Sequence, residues 1–556
     1  MRLAKTLLGM VASAALLSGC TTAQGGTPSP GGSIAQGGTL RIGSTGKIDS
    51  MNPFVTLEQL PLDLFPNIYP LLIQYDTRLD FVPSFATSWS QSPDGLSWTF
   101  HTQTGAEWSD GRPLTAADAA WTLNTIVRYR DGATANYGGT VAHMTSASAP
   151  DATTLVVRYA QPVANVLSQL EQIPILPQHL WAPLAAGGGK PLKSYQNVPT
   201  PSAPGVYGGP FILTRYAKDQ VALFQRNPHW WGQAPHIDGF GIEYFSDDDA
   251  MVTALEHGEI DAIGEPGLAP TDVAPLERAK LHVYKGPSIG FTDLIINTNP
   301  HKTAHRELLN PVVREAMEYA TDRAQIIRTA FLGYAQPGST IVPPATGAWH
   351  DPAATPLPFD PAKANQLLDQ AGYPKGSNGI RVADGHPMSY AVDFATDESG
   401  PGDRAFQILQ AAFRQIGIQI TQRNLDPDAA FNALSAPNGK YTSFDLGMWD
   451  WNTLIDPDFI LMVMTCSQFG DWSDSGYCNA AYDKLYQEQG VTTDLAARRR
   501  IVYQMQDTVQ RERPYIVLVY KDCLEAWSPS WTGFVESPEG FLNQFSDSTL
   551  LQVHRV

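Results

Sequence analysis

Amphipathic helices with clear start and stop signals alternate with strand-like segments, and this alternation constrains the fold most. Asn310 and Pro311 have the residue types of an N-cap and a first helical position, and apolar residues recur at helical spacing until Gly333. A second periodic run, 405–413, ends before a glycine and is followed by the alternating strand pattern 418–421. Helices and strands in alternation predict an α/β fold.

The length of the chain predicts more than one domain. At 556 residues it exceeds the size at which a single hydrophobic core stops growing, so two or three domains are expected. Apolar residues make up 43% and charged residues 17%, which is the composition of a globular protein rather than a disordered one.

The net charge is negative. The formal value is −18 at pH 7, and the sequence pI is about 5.0. Because nucleic acids and anionic lipid surfaces attract basic proteins, this balance argues against either as the main partner. It fits an extracellular protein that gathers neutral or cationic solutes.

The N-terminus has the pattern of an export signal. Arg2 and Lys5 precede a short apolar run, and the segment ends in Leu-Ser-Gly-Cys20, which resembles the bacterial lipobox. We therefore expect residues 1–20 to be a lipoprotein signal peptide with lipid attached at Cys20, and 21–37 to be a flexible tether. An ordinary cleaved secretion signal is the alternative. Either one predicts export, and the lipid would hold the protein on the outer face of the bacterial cytoplasmic membrane.

The remaining cysteines are predicted to have different roles. Cys466 and Cys478 are close in sequence, and in an exported protein they are expected to form a disulfide. Cys523 is left over, and a buried free thiol is the expectation for it.

The stretch 444–478 is the candidate site. An alternating strand pattern, 444–448, is followed by Trp449, Asp450, Trp451 and Asn452. Two indoles around one carboxylate suit a buried ligand with a positive end, such as the amino terminus of a peptide. The alternative is that the tryptophans pack in the core.

The same stretch contains a helix-start signal and a short cross-linked loop. Asp456 and Pro457 have the residue types of an N-cap and a first helical residue before an apolar run. The predicted disulfide lies just after this run, so we expect it to brace the loop locally.

Several other motifs were weighed and favour structural roles. Gly286 to Gly290 matches the G-x-S-x-G elbow around Ser288, but a strand pattern follows where that motif needs a helix. His301 and His305 have helical spacing but lack the glutamate of a zinc motif, so a surface turn is favoured. Asp247 precedes a helix and is expected to cap it. The sequence predicts neither a metal site nor a cofactor.

Several separated segments, in the right order, resemble one family. "PSFATSWSQSPDGLSWTFHTQTGAEWSDGRPLTAADAAWTL", "MVTALEHGEIDAIG" and "FQILQAAFRQIGIQI" are similar to segments of the extracellular solute-binding proteins of ABC importers, family 5, the peptide and nickel group. This family includes the dipeptide- and oligopeptide-binding lipoproteins. The likeness runs from about Gly37 to the C-terminus.

The resemblance implies an α/β fold of two lobes, with a ligand cleft between them and an extra subdomain inserted in the first. Two segments would cross between the lobes, near 287–297 and 518–527. Mapped onto this sequence, lobe I takes 38–75, 208–290 and 525–556, the inserted subdomain 76–207, and lobe II 291–524.

The resemblance also implies a function. The protein would capture extracellular peptides and deliver them to the membrane subunits of an ABC permease, acting as a monomer without enzymatic activity and without nucleic acid as a partner. Relatives that bind peptides commonly hold the ligand α-amino group with an aspartate in lobe II, and Asp450 is the candidate here. That aspartate usually lies three residues before the Asp-Pro step, where this chain has Thr453, so Asn452 is the second choice.

Further contacts are expected from aromatic side chains and from lobe I. Trp449 and Trp451 would line the site, and Lys47, Ile48 and Ser50 would reach it from the loop after the first strand. Two other functions remain open. The same fold could bind an oligosaccharide, a nickel chelate, haem or another small molecule, and a serine hydrolase at Ser288 is a remote alternative.

Overall fold

The computed structural model describes residues 34–395, 400–436, 444–542, 545–546 and 548–556. The predicted signal peptide, Cys20 and most of the predicted tether lie outside these residues. In the described part, no helix is long and apolar enough to cross a membrane.

The first part of the chain contains a small antiparallel sheet. Its elements are β1 Thr39–Ser44, α1 Gln59–Ile68, β2 Ile73–Tyr75, β3 Phe81–Pro83, β4 Ala86–Gln91, β5 Ser97–Thr102, α2 Ala116–Tyr129, β6 Met144–Asp151, β7 Thr154–Tyr159, α3 Val166–Glu171, α4 Gln178–Trp181 and α5 Lys190–Ser194. The strand order is β4-β5-β7-β6, and α2 packs on β6 and β7. Helix α2 begins at a capping box formed by Thr115 and Asp118.

The middle of the chain returns to β1. Its elements are β8 Phe211–Ala217, β9 Val221–Arg226, β10 Gly239–Tyr244, α6 Asp248–Glu256, β11 Ala262–Ile263, α7 Val273–Arg278 and β12 His282–Pro287. Strand β1 pairs in parallel with β10 on one side and with β11 on the other. Asp247 caps α6 as the sequence predicts, because its carboxylate accepts from the Ala250 N–H at 2.9 Å.

The last part of the chain forms a second α/β unit and then returns to the first. Its elements are β13 Gly290–Ile296, α8 Pro311–Tyr319, α9 Arg323–Thr329, β14 Ala335–Pro337, α10 Pro361–Gln370, β15 Val382–Ala383, β16 His386–Pro387, β17 Ser389–Ala395, α11 Pro401–Gln415, β18 Gln419–Leu425, α12 Pro427–Leu434, β19 Leu446–Asn452, α13 Asp458–Val463, α14 Ala480–Val491, α15 Leu495–Glu512, β20 Tyr515–Trp527, β21 Trp531–Thr532, α16 Thr549–Gln552 and β22 His554–Arg555.

The prediction of one continuous helix from Asn310 to Gly333 was wrong, because there are two helices, α8 and α9. Asn310 caps the first as predicted, accepting from the Val312 N–H at 3.0 Å. The second begins because the carboxylate of Asp322 accepts from the Gln325 N–H at 2.8 Å. The apolar spacing continues across the break, so the pattern alone does not reveal the second cap.

One long strand joins the two halves of the main sheet. The order of this sheet is β18-β17-β19-β13-β20-β11-β1-β10-β9-β8, and β12 and β14 also pair with β20. The first half of β20 pairs with β13, and its second half pairs with β12 and β11. We call the half with β1, β8–β12 lobe I and the half with β13 and β17–β19 lobe II. This is the two-lobed α/β fold that the sequence predicts.

The buried clusters follow the same division. One apolar cluster combines lobe I with the small antiparallel sheet, so this inserted part shares its core with lobe I. Two others lie on the opposite faces of the lobe II strands. The residue boundaries predicted for the lobes and the subdomain stay a prediction.

Candidate functional site

The two lobes meet where β12 passes into β13 alongside β20. Ser288 donates to the Lys521 carbonyl from both its backbone N–H and its hydroxyl, at 3.3 and 2.8 Å. The Thr453 hydroxyl donates to the Ile289 carbonyl at 2.6 Å. Gly290 permits the close approach of β19, since a Cβ there would lie 2.9 Å from the Asn452 Oδ1. The crossing is therefore held by hydrogen bonds from both lobes.

Asp450 lies next to this crossing. It is on β19, opposite Thr292 of β13, and its Oδ2 accepts from the Nζ of Lys521 on β20. The Asp450 side chain is 18% exposed and that of Lys521 is 35% exposed. The Oδ1 of Asp450 is buried and has no hydrogen-bond partner. One carboxylate oxygen is thus held by a lysine, while the other can accept a hydrogen bond.

Trp449 and Trp451 do not lie on the same face of β19 as Asp450, and the prediction that they line the ligand site stays a prediction. All three are on strand β19, where successive side chains point to opposite faces. The two indoles pack in a lobe II cluster with Phe291 and Tyr515. The sequence predicts a strand over 444–448, but the strand extends to Asn452 and so turns Asp450 away from the two indoles.

A buried carboxylate lies on the indole side of β19. Asp474 has no exposed surface, and burial raises the pKa of this carboxyl to about 7. The Tyr515 hydroxyl donates to Asp474 and stabilises its ionised form. The nearby indoles of Trp451 and Trp449 also lower the pKa of Asp474.

The two tryptophans belong to a row of five aromatic rings. Neighbouring ring centroids are 5.3–6.4 Å apart along the row Phe431, Trp449, Trp451, Phe459 and Trp472. The two end residues are exposed, and the middle of the row is more buried. The sequence analysis missed Phe431 and Trp472, although Trp472 lies inside the predicted disulfide loop.

The predicted disulfide is present. Cys466 and Cys478 are bonded, and they enclose the loop that carries Trp472. Cys523 is a free thiol, but it is half-buried rather than fully buried. Burial and the nearby Glu525 and Glu265 carboxylates raise the pKa of this thiol.

Removing the disulfide should have a modest effect. We expect Cys466→Ser together with Cys478→Ser to lower the free energy of unfolding by roughly 3 kcal/mol at most, because the closed loop is short. Thermal denaturation followed by circular dichroism measures this, with Cys523→Ser as the control that leaves the loop closed. A loss of unfolding free energy well above this range would show that the disulfide stabilises more of lobe II than the loop it closes.

The second-choice residue and its neighbour have different roles. Asn452 is exposed at the end of β19, and strand alternation places it on the same face as Asp450. Thr453, three residues before the Asp-Pro step, is buried and hydrogen-bonded to the Ile289 carbonyl. Thr453 therefore supports the crossing itself, and ligand contact by Asn452 stays a prediction.

The three predicted lobe I contacts lie in the loop after β1. Lys47 is exposed. The Ile48 carbonyl accepts from the Tyr216 hydroxyl at 3.0 Å, and Tyr216 is on the outer strand β8. Ser50 accepts from the Asn52 N–H at 3.0 Å, which is a local turn contact. Ligand contact by these residues stays a prediction. Just before this loop, at the end of β1, the Ser44 hydroxyl donates to the Glu265 carbonyl.

Asp456 was predicted to cap a helix, but its side chain mainly holds an arginine. Arg498 of α15 binds both Asp456 oxygens, at 2.5 and 2.7 Å, and both residues are buried. Helix α13 begins at Asp458, one residue later than predicted. At the start of this helix, Asp456 accepts from the backbone N–H of Asp458 at 3.0 Å. Forty-two residues separate the partners, so no local signal predicts the pair.

The same carboxylate joins the inserted part of lobe I to lobe II. The Ser168 hydroxyl of α3 donates to Asp456 at 3.2 Å. The hydroxyl oxygens of Tyr75 and Ser168 are 3.1 Å apart and share a hydrogen bond. The Ala164 N–H also donates to the Gly490 carbonyl at 2.9 Å. The lobes are therefore in direct contact in this structure, on the side of the crossing where α3 lies.

The geometry around Ser288 differs from that of a nucleophile elbow. Strand β13 follows Ser288, where the elbow requires a helix. The Ser288 hydroxyl donates to the Lys521 carbonyl, which gives it a structural role at the crossing. Among the described residues, no three His, Cys, Asp or Glu side chains are placed to hold a metal ion.

Comparison with known proteins gives a match over most of the chain. A family model described as bacterial extracellular solute-binding proteins, family 5 middle, matches residues 80–471. Protein XP55 of Streptomyces lividans is 26% identical over 486 residues, which cover 86% of this chain and 83% of that protein. The glutathione-binding protein GsiB of Escherichia coli is 24% identical over 521 residues, covering 90% of this chain and 92% of that protein.

Solved structures share the fold. The ABC transporter substrate-binding protein CtaP of Listeria monocytogenes superposes with a TM-score of 0.79 at 22% identity. The superposition covers 94% of this chain and 99% of that one. The two-lobed architecture is therefore shared over nearly the whole described chain.

Proposed function

Because this chain belongs to family 5 of the bacterial extracellular solute-binding proteins, the substrate-binding proteins of ABC importers of the peptide and nickel type, we propose that it captures peptides between its lobes. The observation that carries the proposal is the Asp450 carboxylate at the crossing, with one oxygen on Lys521 and the other without a partner. A peptide α-amino group is positively charged and has N–H donors, so it can donate a charge-assisted hydrogen bond to this oxygen.

The relative GsiB, whose ligand glutathione is a tripeptide, supports a small peptide as the solute class. In the proposed complex the peptide α-amino group donates to the Asp450 Oδ1, and Asn452 contacts the first residues of the peptide. Trp449 and Trp451 remain proposed contacts, and the exposed ends of their aromatic row, Phe431 and Trp472, are further candidates for a peptide that extends beyond Asp450.

We further propose that the protein is a monomeric lipoprotein anchored through Cys20 on the outer face of the cytoplasmic membrane. It would deliver its peptide to the membrane subunits of an ABC permease, without a cofactor and without catalysing a reaction. The sequence supports the anchor through the lipobox and the tether that follows it. Mass spectrometry of the mature N-terminal fragment tests this, because a diacylated Cys20 adds the mass of two acyl chains.

Titration calorimetry with matched ligands tests the peptide proposal. Trialanine should bind, while N-acetyl-trialanine should bind at least tenfold more weakly, because acetylation removes the charged amine and a charge-assisted hydrogen bond. Maltotriose and nickel–histidine should not bind. Equal affinity for both peptides would remove the role of Asp450, and binding of the sugar or the nickel complex alone would contradict peptide capture.

A further inference from the structure

Five carboxylates surround the lobe I side of the crossing. They come from separate elements and do not form a sequence motif. The five are Asp63 on α1, Glu171 at the end of α3, Glu265 after β11, Glu525 on β20 and Glu539 in the segment after β21. We call them the acid cluster. None of the five was predicted from the sequence as a site residue.

Packing of the backbone brings the members of the acid cluster together. The Leu268 N–H donates to the Leu524 carbonyl at 2.8 Å, which places the Glu265 loop against β20 beside Glu525. The Phe541 N–H donates to both Glu525 oxygens, at 3.1 and 3.0 Å, which brings the segment of Glu539 to the same point.

Helix α1 and strand β20 complete the arrangement. A Cβ on Gly46 would lie 3.5 Å from Leu60 of α1 and 3.6 Å from the Glu265 carbonyl. Asp63 is one turn further along this helix. Alternation along β20 places Lys521, Cys523 and Glu525 on one side of the strand. The lysine that holds Asp450 is therefore beside the acid cluster.

The carboxylates repel one another. Burial and then the nearby Glu265 raise the pKa of Glu525 to about 8, and burial raises that of Glu539 to about 7. Burial and Glu265 raise the pKa of Asp63, and burial and Glu539 raise that of Glu171. Among the described cations, only Lys521 acts against these shifts, by lowering the pKa of Glu265. The carboxylates therefore resist full ionisation near neutral pH, and a cation placed among them would favour their ionised forms.

Glu171 gives independent evidence that something else binds there. Its exposed fraction is only 6%, and burial and the nearby Glu539 raise the pKa of its carboxyl without any opposing hydrogen bond from the described residues. A buried carboxylate without a partner is costly in free energy. It lies three residues after Ser168, on the same face of α3, which is the face that contacts Tyr75 and lobe II.

The five side chains are spread over several elements, and the described residues contain no metal-sized group of ligands. An organic cation that extends along the cleft fits this spread better than a metal ion does. Building on the proposed function, we propose that the preferred solutes are peptides with at least two positive charges. The α-amino group binds Asp450, and a lysine or arginine side chain lies among Asp63, Glu171, Glu265, Glu525 and Glu539.

Titration calorimetry with three probes tests this inference. The probes are Ala-Lys-Lys-Ala, tetra-alanine and spermidine, the last of which has the charges without the peptide. At pH 8 we expect Ala-Lys-Lys-Ala to bind at least tenfold more tightly than tetra-alanine, and we expect the ratio to fall as the pH decreases to 6. Glu525 and Glu539 become protonated over that range, while Asp63, Glu171, Glu265, Lys521, Cys523, Tyr75 and Tyr284 are the other titratable groups around them.

Proton release provides a second readout. A bound cation favours the ionised form of Glu525 and Glu539, so binding of Ala-Lys-Lys-Ala near pH 7 should release protons. The observed binding enthalpy of Ala-Lys-Lys-Ala should then change with the ionisation enthalpy of the buffer. The binding enthalpy of tetra-alanine should change much less.

The variant Glu171→Gln tests the acid cluster separately from the amine site at Asp450. The matched control is Glu256→Gln, because Glu256 is an exposed carboxylate on α6. We expect Glu171→Gln to reduce the preference for the lysine peptide several-fold and to leave tetra-alanine binding unchanged. It should also raise the melting temperature of the empty protein at pH 8, since a buried amide cannot ionise and avoids the cost of burying a carboxylate. A lower melting temperature would mean that Glu171 has a structural partner, and would overturn the inference.

The outcomes separate this inference from the proposed function. Equal binding of the two peptides would overturn the inference and leave peptide capture standing. Binding of spermidine without either peptide would support the cation site and overturn peptide capture. Failure of all three probes to bind would overturn both.

Discussion

Replacing Asp450 with asparagine is expected to weaken binding of trialanine by about ten- to a hundredfold. The substitution keeps the shape of the side chain but replaces a charge-assisted hydrogen bond, worth roughly 1.5–3 kcal/mol, with a weaker neutral one. It also removes the negative charge that balances Lys521 beside the peptide amine, which adds repulsion between the two cations. Calorimetric titration of wild type and variant measures the effect.

Two comparisons make this experiment specific. Binding of N-acetyl-trialanine should be equally weak in wild type and Asp450→Asn, because that ligand has no charged amine to lose. Asp507→Asn is the matched control, since Asp507 is an exposed carboxylate that is also ion-paired, with Arg511. If Asp450→Asn weakens both peptides equally, Asp450 supports the fold or the crossing and does not bind the amine.

The second large effect concerns stability. We expect Arg498→Met to lower the free energy of unfolding of lobe II by about 3–5 kcal/mol, because it leaves the buried Asp456 carboxylate without its partner. Arg498 also donates to Gln489 at 2.9 Å and stacks on Trp349 at 4.6 Å, so several contacts are lost together. Chemical denaturation followed by tryptophan fluorescence measures the loss.

The control lies on the same helix. Arg511 of α15 pairs with Asp507 on the surface, where both side chains are at least 60% exposed. Arg511→Met should therefore cost less than about 1 kcal/mol. The double variant Asp456→Leu with Arg498→Met should lose less unfolding free energy than Arg498→Met alone, since it also removes the Asp456 carboxylate that would otherwise be buried without its arginine. If the double variant is less stable than Arg498→Met alone, the Asp456–Arg498 pair stabilises lobe II by more than the neutralisation of each charge by the other.

The stability of the empty protein should also depend on pH. Glu525 and Glu539 have folded-state pKa values raised to about 8 and about 7, above their usual range. The folded state therefore binds more protons than the unfolded state, and stability should fall as the pH rises from about 5 to 8. Thermal denaturation across this range measures the slope, and a basic peptide should reduce it.

Local signals in the sequence predicted much of the fold. Caps at Thr115, Asp247 and Asn310 are short-range hydrogen bonds between side chain and backbone, so their residues are adjacent in the chain. The Cys466–Cys478 pair is also local. The break before α9 was missed because a second cap can interrupt a helix without changing its apolar spacing.

The site was harder to predict for two physical reasons. The Trp449-Asp450-Trp451 pattern resembles a cluster in sequence, but a strand turns its neighbours to opposite faces. The partners that determine the chemistry, Lys521 for Asp450 and Arg498 for Asp456, are brought in by long-range strand pairing and helix packing. The acid cluster combines both difficulties, since its members come from five separate segments.

Native mass spectrometry of the protein as purified from its host tests peptide capture most directly. A protein whose lobes are in contact over the crossing is expected to retain its solute under gentle conditions and to release it on denaturation. We predict a set of small peptide masses that is present in wild type and strongly reduced in Asp450→Asn. A single non-peptide mass that persists in Asp450→Asn would contradict peptide capture.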